Sequence, residues 1–269
     1  MRKLVIALLV CLPALAASFT PPCELPFVDI ATKRPIDSRC SASGQGSDSS
    51  QLQNESKNNF CATGEPALIT FVSFKRLQSK AESPSVLGPN YKVPESREML
   101  QELYTTTEGD TIGEGSVVMF AAFVGDAHYS NVSKGETVNC KLTGQANNDI
   151  HIELVQNLGE PDTCKSVTAE ITPHFRPTVW ASKTLNDIDR PIRFTGQLFF
   201  DASHHPCHDN VRPNPKRASS WEIHPVYNIE VCKNTSLAGC KANDDSKWMS
   251  LEEYLNQKTK EDEEEEGDS

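Results

Sequence analysis

Apolar residues in the second half of the chain alternate with polar ones or form short unbroken runs. Both patterns are typical of β-strands, which bury one face or both. They predict strands at residues 115–127, 136–142, 149–154, 166–172, 190–201 and 221–231. Between the fourth and fifth of these strands, residues 178–185 are predicted to form a short helix. The pattern therefore predicts a mainly β domain interrupted by one helix.

This order of strand regions, one helix and two closing strands resembles that of the OB-fold. The resemblance covers residues 113–232 and implies a five-stranded Greek-key barrel with the helix between the third and fourth strands. Gly125 and Gly196 lie within long strands, where the missing side chain suits the coiling of a small barrel. The third and fifth strands of such a barrel are neighbours. With residues 149–154 taken as the third strand, His151 is expected to lie close to His224.

Four segments flank the predicted barrel. Residues 1–16 have the basic start, apolar run and small-residue cleavage site of a signal peptide. Residues 17–112 are predicted to form an N-terminal extension with short helices, including a flexible Ser/Gly/Asn-rich loop at 41–57. Residues 233–259 are predicted to form a C-terminal helix segment and residues 260–269 an acidic disordered tail.

Local patterns support some of these predicted helices. Residues 67–78 place apolar side chains on a helical stripe, and Ser96 is a suitable N-cap for a short helix that follows it. Ser250 and Glu253 have the spacing of a capping box at the start of the C-terminal helix.

Cysteine usage agrees with export. Nine cysteines are present, of which Cys11 lies in the predicted signal peptide. The remaining eight form an even set with no Cys-x-x-Cys spacing, which favours disulfides over metal or redox sites. We predict Cys140–Cys164 and Cys232–Cys240 as pairs, and a loop closed by Cys40 and Cys61. With no transmembrane run after the signal peptide, the chain is predicted to be periplasmic or secreted.

Several segments also resemble those of exported bacterial proteins of unassigned function. The matching segments are KNNFCA, VNC, NDIHIEL, RFTGQLFFD and SWEIHPV. This resemblance implies a bacterial origin but no mechanism.

The net charge of the chain is −11, and its last nine residues contain seven carboxylates. An acidic body argues against broad binding to a phosphate backbone, which needs clustered Lys and Arg. An acidic net charge is still compatible with a local basic groove.

Two of the predicted strands carry His and carboxylate side chains on one face. Asp149, His151 and Glu153 occupy alternate positions, as do Glu222 and His224. Imidazole and carboxylate groups together suit a divalent metal, so His151, His224 and Asp149 are candidate ligands. Glu153 or Glu222 is then a candidate general base, or Glu222 orients His224. The alternative, which alternation alone also predicts, is a polar face in contact with water.

Two further clusters have candidate roles. His204, His205 and His208 surround Cys207, which we expect to be held in a disulfide-bonded loop rather than at a metal site. A basic, aromatic-lined groove for single-stranded nucleic acid or oligosaccharide is a second possibility. Its candidate residues are Arg176, Trp180, Arg190, Arg193, Arg212, Lys216 and Arg217. Alternatively, Trp180 anchors the barrel's helix in the core.

These observations favour an exported, disulfide-stapled binding module of unknown ligand. The alternative is a metal-dependent hydrolase, of phosphodiesterase or nuclease type, in which Arg176 or Arg193 stabilises the developing negative charge. A third hypothesis is an envelope-associated structural protein whose acidic tail binds cations or a basic partner.

Overall fold

The computed structural model describes residues 18–26, 30, 32–209 and 211–267. The predicted signal peptide lies outside these ranges. Within them, no helix combines the length and the apolar character that crossing a membrane requires.

The described residues contain four α-helices and nine strands. The helices are α1 (Asp48–Lys57), α2 (Phe71–Ala81), α3 (Ser182–Asn186) and α4 (Leu251–Gly267). The short strands before the barrel are β1 (Ala67–Leu68), β2 (Tyr104–Thr105) and β3 (Thr111–Ile112). The remaining strands are β4 (Val117–Tyr129), β5 (Ile150–Val155), β6 (Val167–Ile171), β7 (Ile192–Phe200), β8 (Trp221–Cys232) and β9 (Trp248–Ser250).

Five strands close into a barrel. Strand β4 pairs with β5, β5 with β6, β6 with β8, β8 with β7, and β7 pairs back with β4. The β6–β8 pair is parallel, whereas the other four pairs are antiparallel. Strand β1 extends the sheet from β4 and β9 extends it from β8, while β2 and β3 form a separate hairpin. The predicted five-stranded barrel is confirmed.

Alternation along the strands separates an apolar face from a polar one. Ile150, Ile152 and Leu154 of β5 are fully buried in the hydrophobic core, together with Phe194 of β7 and Ile223 of β8. Because successive side chains point to opposite faces, the intervening polar residues lie on the other face of the barrel wall. This second face, called the outer face below, carries the candidate chemistry.

A bulge between β7 and β8 accommodates Pro225. The register of this pair shifts on both sides of Gly196. A Cβ atom at Gly196 would lie 2.5 Å from the carbonyl oxygen of Pro225, so only glycine fits there. A proline removes a backbone donor, which predicts such an interruption beside His224.

Residues 136–142, predicted as a strand, instead form turns. Cys140 and Lys141 have φ values of 53° and 55°, which a strand does not allow. The predicted strand count therefore changes: 150–155 is the second barrel strand and 167–171 the third. His151 is consequently one strand further from β8 than the prediction placed it.

The segment predicted as a flexible loop, residues 41–57, contains helix α1. Its buried polar side chains hold the helix in place, since Asn54 donates to the carbonyl oxygens of Ser43 and Gln45. Asn58, just after the helix, donates to Ala42. Amide side chains that donate to backbone carbonyl oxygens thus hold the helix in place of the apolar stripe that would have marked it in the sequence.

Helix α1 and the residues after it cover part of the outer face. Gln53 donates to Ser203 at 2.7 Å, and Gln197 of β7 donates to the carbonyl oxygen of Ser56 at 2.7 Å. The hydroxyl of Tyr227 donates to the carbonyl oxygen of Asn59 at 2.6 Å. The outer face of β7 and β8 is therefore an internal surface of the molecule.

Four disulfides staple the chain. Cys232–Cys240 forms as predicted, and Cys207 is disulfide-bonded as expected. The predicted Cys140–Cys164 pair and the Cys40–Cys61 closure are wrong. Cys140 pairs with Cys40, Cys164 with Cys207, and Cys23 with Cys61. Because residues 136–142 turn toward the N-terminal segment instead of joining the sheet, Cys140 meets Cys40.

The helix predicted at 67–78 begins only at Phe71, because Ala67–Leu68 form β1, whereas the predicted caps Ser96 and Ser250 both precede helical turns. Thr70 caps α2, and a single 3₁₀ turn, Glu98–Leu100, follows Ser96. Ser250 accepts a hydrogen bond from the backbone N–H of Glu253 at 3.1 Å at the start of α4. Helix α4 continues to Gly267, through residues predicted to be disordered, since glutamate is a good helix former.

Candidate functional site

A continuous set of ionisable side chains crosses the outer face where β5, β6 and β8 lie side by side. Register explains the placement: His151 lies opposite Glu170 in the β5–β6 pair, and Thr168 opposite Glu222 in the β6–β8 pair. We call this set the charged cluster. Its members are Lys57, Glu136, Asp149, His151, Glu170, Asp201, His204, Arg217, Glu222 and His224.

Glu170 is at the centre of the charged cluster. Its Oε1 lies 3.3 Å from Nε2 of His151, and its Oε2 lies 3.0 Å from Nδ1 of His224. Nζ of Lys57 lies 3.8 Å from Oε2. The carboxylate of β6 therefore joins the two histidines, although β6 separates their strands. Lys57 ends α1 and lies over the ring of Phe199, 5.5 Å from its centroid.

Arg217 organises the other end of the charged cluster. Its Nη2 donates to Asp201 at 2.8 Å and to the carbonyl oxygen of His204 at 2.7 Å. Its Nη1 donates to Glu222. Glu222 in turn has its Oε2 3.6 Å from Nδ1 of His224, which links the two ends. Arg217, Asp201 and Glu222 are all buried.

Asp149 and Glu136 complete the charged cluster, and each has one oxygen fixed by the protein. Oδ1 of Asp149 accepts from the amide of Asn139 at 3.1 Å. Oε1 of Glu136 accepts from Ser130 and Asn131, both at 2.8 Å. The second oxygen of each carboxylate has no hydrogen-bond partner within the described residues.

Other buried polar atoms of the charged cluster also lack hydrogen bonds within the described part of the chain. They are Nε2 of His151, Oε2 of Glu170, Nε of Arg217, Oε2 of Glu222 and both ring nitrogens of His224. Oε2 of Glu170 and Nδ1 of His224 nevertheless form an ion pair at 3.0 Å. Buried polar atoms are normally satisfied, because an unpaired one costs roughly 1–3 kcal/mol. Together these atoms define the surface that we take as the candidate site.

The charged cluster has a deficit of positive charge. Five carboxyl groups face only two permanent cations, Lys57 and Arg217. Burial opposes the charged form of His224, but the charge of Glu170 outweighs it and raises the pKa of His224 to about 9. Burial and the negative charges of Glu136 and Glu170 raise the pKa of Asp149 well above its usual value. Both shifts favour the protonated form of the group, for Asp149 mainly because it is buried and for His224 because of Glu170.

Glu170 behaves in the opposite way. Burial alone would raise the pKa of its carboxyl group, but the positive charges of His151, Lys57 and His224 hold it well below the usual value. Glu170 is therefore ionised, with its two oxygens facing different histidines. Such a group is suited to bind a cation.

A cavity of about 370 Å³ opens beside the charged cluster. Its lining includes Lys57, Glu136, His151, Glu153, Glu170 and Lys216. Asp149, Glu222 and His224 are not part of the lining and are fully buried behind it. Burial, followed by the nearby charge of Asp126, raises the pKa of Glu153. The charged cluster thus has an inner part closed to solvent and an outer part open to the cavity.

The structure brings the three predicted metal ligands into one cluster. Asp149 and His224 are buried together with Glu170, and His151 lies on the cavity side of Glu170. Of the predicted bases, Glu153 lines the cavity and Glu222 is buried against Arg217. The alternative of a polar face in contact with water is wrong for Asp149, Glu222 and His224, whose relative exposures are 0%.

The two arginines predicted to stabilise charge lie elsewhere. Arg176 donates to the carbonyl oxygens of Asn148 and Gln145 and does not line the cavity. Arg193 pairs with Glu230 at 2.7 Å and with Asp245 at 2.8 Å, also away from the cavity. The cations that do line the cavity are Lys57, Lys216 and Arg217.

The residues of the predicted basic groove and of the histidine-rich loop mostly contact other protein groups. Trp180 is buried in the core, as its alternative role predicted, and Arg190 lies over the ring of Tyr254. Arg212 pairs with Asp162 at 2.8 Å. With Arg176 and Arg193 buried as well, the basic, aromatic-lined groove does not form. In the histidine-rich loop, His204 pairs with Asp201 at 2.7 Å.

Sequence reasoning assigned no role to four members of the charged cluster: Lys57, Glu136, Glu170 and Asp201. It placed Arg217 in a basic groove that does not form. Glu170 alternates with apolar residues in its strand, which is the same pattern that singled out His151. Glu136 was assigned to a strand that does not form. Lys57 lies in the segment predicted to be flexible, so no pattern connects it to the barrel.

Comparison of the chain with protein-family models, with curated proteins and with solved structures found no significant match. The resemblance of segments such as SWEIHPV to exported bacterial proteins therefore stays a prediction.

Proposed function

We propose that this chain is an exported, disulfide-stapled binding module with an OB-like barrel, and that its ligand is a divalent metal ion. The OB-like assignment is supported by the strand order first–second–third–fifth–fourth, with α3 between the third and fourth strands. Export is supported by four disulfides, which persist in oxidising compartments.

One observation carries the metal proposal: three fully buried donor groups converge without enough hydrogen bonds. Ligand atoms of Asp149, Glu170 and His224 all lie within 4.8 Å of one another. Atoms bound at about 2 Å to one ion lie within about 4 Å of each other, so only small side-chain shifts are needed. One imidazole and two carboxylates suit zinc, manganese or iron. A bound ion would satisfy the unpartnered oxygens and ring nitrogen.

Charge favours the same ligand. A divalent cation offsets the excess of five carboxyl groups over the two permanent cations of the charged cluster. Lys57 supplies part of this positive charge now, since its ammonium lies 3.8 Å from Glu170. The ammonium and a metal ion repel each other, so Lys57 weakens metal binding.

The first test is calorimetric titration of the untagged, oxidised chain with Zn²⁺ and with Mn²⁺ after dialysis against chelator. We expect stoichiometric binding that Asp149→Asn and His224→Ala each weaken by at least about a hundredfold, since even losing an outer-sphere partner costs 10- to 100-fold. Lys57→Met should bind the ion more tightly than the unmodified chain.

His208→Ala is the matched control for this titration, because the side chain of His208 is 77% exposed and outside the charged cluster. It should bind like the unmodified chain. Binding that disappears with His208→Ala but survives Asp149→Asn and His224→Ala would contradict the proposal. A poorly folded variant can only lose metal binding. The tighter binding expected for Lys57→Met therefore cannot be explained by poor folding.

A second candidate function, metal-dependent hydrolysis of a phosphoester, is favoured by the cavity beside the charged cluster. Glu153 lines it, and burial raises the pKa of this carboxyl group toward the range of a general base. In this mechanism Glu153 takes a proton from the attacking water, whose oxygen bonds to phosphorus while the P–O bond to the leaving alcohol breaks, and the departing oxygen takes a proton from solvent. Lys57 and Lys216 stabilise the negative charge that develops on the phosphoryl group, in place of the arginines predicted from the sequence.

Hydrolysis is tested with a panel of phosphomonoesters, phosphodiesters and single-stranded nucleic acid, with Mn²⁺ or Zn²⁺ added. Activity should fall roughly a hundredfold or more in Glu153→Gln. The matched control, Glu108→Gln, changes an exposed carboxylate outside the cavity and should leave the rate unchanged. Metal binding without any cleavage across the panel would leave the binding module as the function.

A further inference from the structure

The ligands of the proposed metal site continue on the cavity side into a second group of donors. Ligand atoms of Glu136, Asp149 and His151 also lie within 4.8 Å of one another. Asp149 therefore belongs to two groups at once, one with Glu170 and His224 and one with Glu136 and His151.

From this arrangement we infer that the chain binds two divalent cations, with the carboxylate of Asp149 shared between them. The second ion is held by Glu136, Asp149 and His151. This inference rests on the proposed function, because it adds an ion to the same charged cluster.

Atoms without a hydrogen bond in the group Glu136, Asp149 and His151 also support the inference. This observation does not depend on the excess of carboxyl groups over cations. Oδ2 of Asp149 and Oε2 of Glu136 have no hydrogen bond within the described residues, and Nε2 of His151 has only ion-pair contacts, the shorter being 3.3 Å to Oε1 of Glu170. Hydrogen bonds from Asn139 to Asp149, and from Ser130 and Asn131 to Glu136, fix the other oxygen of each carboxylate. Fixing one oxygen orients the other, which is how outer partners commonly prepare metal ligands.

Glu170 reduces the repulsion between the two ions. Its Oε1 lies 3.3 Å from the ring of His151 and its Oε2 lies 3.0 Å from the ring of His224. One carboxylate thus has an oxygen near each proposed ion. Two-metal sites typically hold their ions about 3.5–4 Å apart, a spacing that shared carboxylates produce.

The two positions differ in exposure. Asp149 and His224 are closed off from solvent, whereas Glu136 and His151 line the cavity, with side-chain exposures of 16% and 21%. The ion at Glu136 and His151 therefore has coordination positions open to the cavity. We expect it to exchange faster than the inner ion and to be the one that contacts any molecule in the cavity.

The experiment counts bound ions in the oxidised full chain by equilibrium dialysis against Zn²⁺, with Mn²⁺ electron paramagnetic resonance as a second readout. The unmodified chain should bind two equivalents and give an exchange-coupled Mn²⁺ spectrum. His151→Ala and Glu136→Gln should each bind one equivalent with an uncoupled spectrum. Asp149→Asn, which changes the shared ligand, should weaken both ions.

His128→Ala is the matched control, because the ring of His128 lies 5.8 Å from that of His151 but belongs to neither donor group. It should keep both equivalents. Loss of one equivalent in His128→Ala as well as in His151→Ala would overturn the inference. So would a single equivalent in the unmodified chain that His151→Ala leaves in place, although that result would still support the inner site. No bound ion at all would overturn the proposed function itself.

Discussion

Replacing Arg217 with methionine is expected to lower the free energy of unfolding by about 3–5 kcal/mol, the usual cost of removing one partner of a buried ion pair. The guanidinium is 2% exposed and lies between Asp201 and Glu222, whose side chains are 2% and 0% exposed. Methionine fills similar space but leaves both carboxylates without their main cation. The positive charge of Arg217 also holds the pKa of Asp201 well below its usual value, against the effect of burial.

Urea unfolding at pH 7, followed by circular dichroism, measures this loss. Arg212→Met is the control, because it removes an arginine whose side chain is 55% exposed from its pair with Asp162. Water screens such a pair, so the control should change stability little. Equal stabilities for the Arg217 and Arg212 variants would show that the buried network contributes nothing to folding.

Removing the Cys40–Cys140 disulfide, with alanine at both positions, has the second large effect. The two cysteines are 100 residues apart in the sequence. On the chain-entropy model, a cross-link that closes a loop of this length stabilises the fold by about 4–5 kcal/mol. We therefore expect the largest loss of stability among the four disulfides, because the others close shorter loops.

The matched control replaces Cys232 and Cys240 with alanine, since this pair spans only 8 residues. The same relation gives roughly 2.5 kcal/mol for so short a loop. Denaturant unfolding of both variants should thus show a difference of about 2 kcal/mol. A greater loss on removing Cys232–Cys240 would mean that loop entropy does not rank the disulfides of this chain.

The barrel could be predicted from the sequence because its strands bury one face and alternate accordingly. Ile150, Ile152 and Leu154 mark β5 without reference to any other part of the chain. The turn at 136–142 has a similar alternation, yet the positive φ angles at Cys140 and Lys141 leave no mark that alternation detects. The six candidate strands therefore reduce to the five strands of the barrel once 136–142 is removed, and residues 150–155 become its second strand.

The state of the outer face could not be predicted, because it depends on contacts between distant residues. Alternation shows that Glu222 and His224 share a face but not what lies against that face. The cover comes from α1, whose contacts with β7 and with Ser203 after it join residues more than a hundred positions apart. A polar helix held by buried amides has no apolar stripe to reveal it.

The candidate site was predicted only in part, because it too depends on contacts between distant residues. Asp149, His151 and His224 were found because each alternates with apolar residues in a strand. Glu170 has that pattern too, but its importance depends on β6 lying between β5 and β8. Lys57 comes to the charged cluster only through the packing of α1. Local pattern thus identifies candidate ligands on strands, while the charged groups that lie between them and oppose their charge follow from topology.

Anomalous diffraction at the zinc edge, from crystals of the oxidised chain grown with Zn²⁺, is the most direct measurement of metal binding by the buried ligands. We predict a peak at about 2 Å from a donor atom of Asp149, Glu170 and His224, with the ammonium of Lys57 moved away from Glu170. A zinc-saturated crystal without a peak there, and with Lys57 still paired to Glu170, would contradict metal binding at this site.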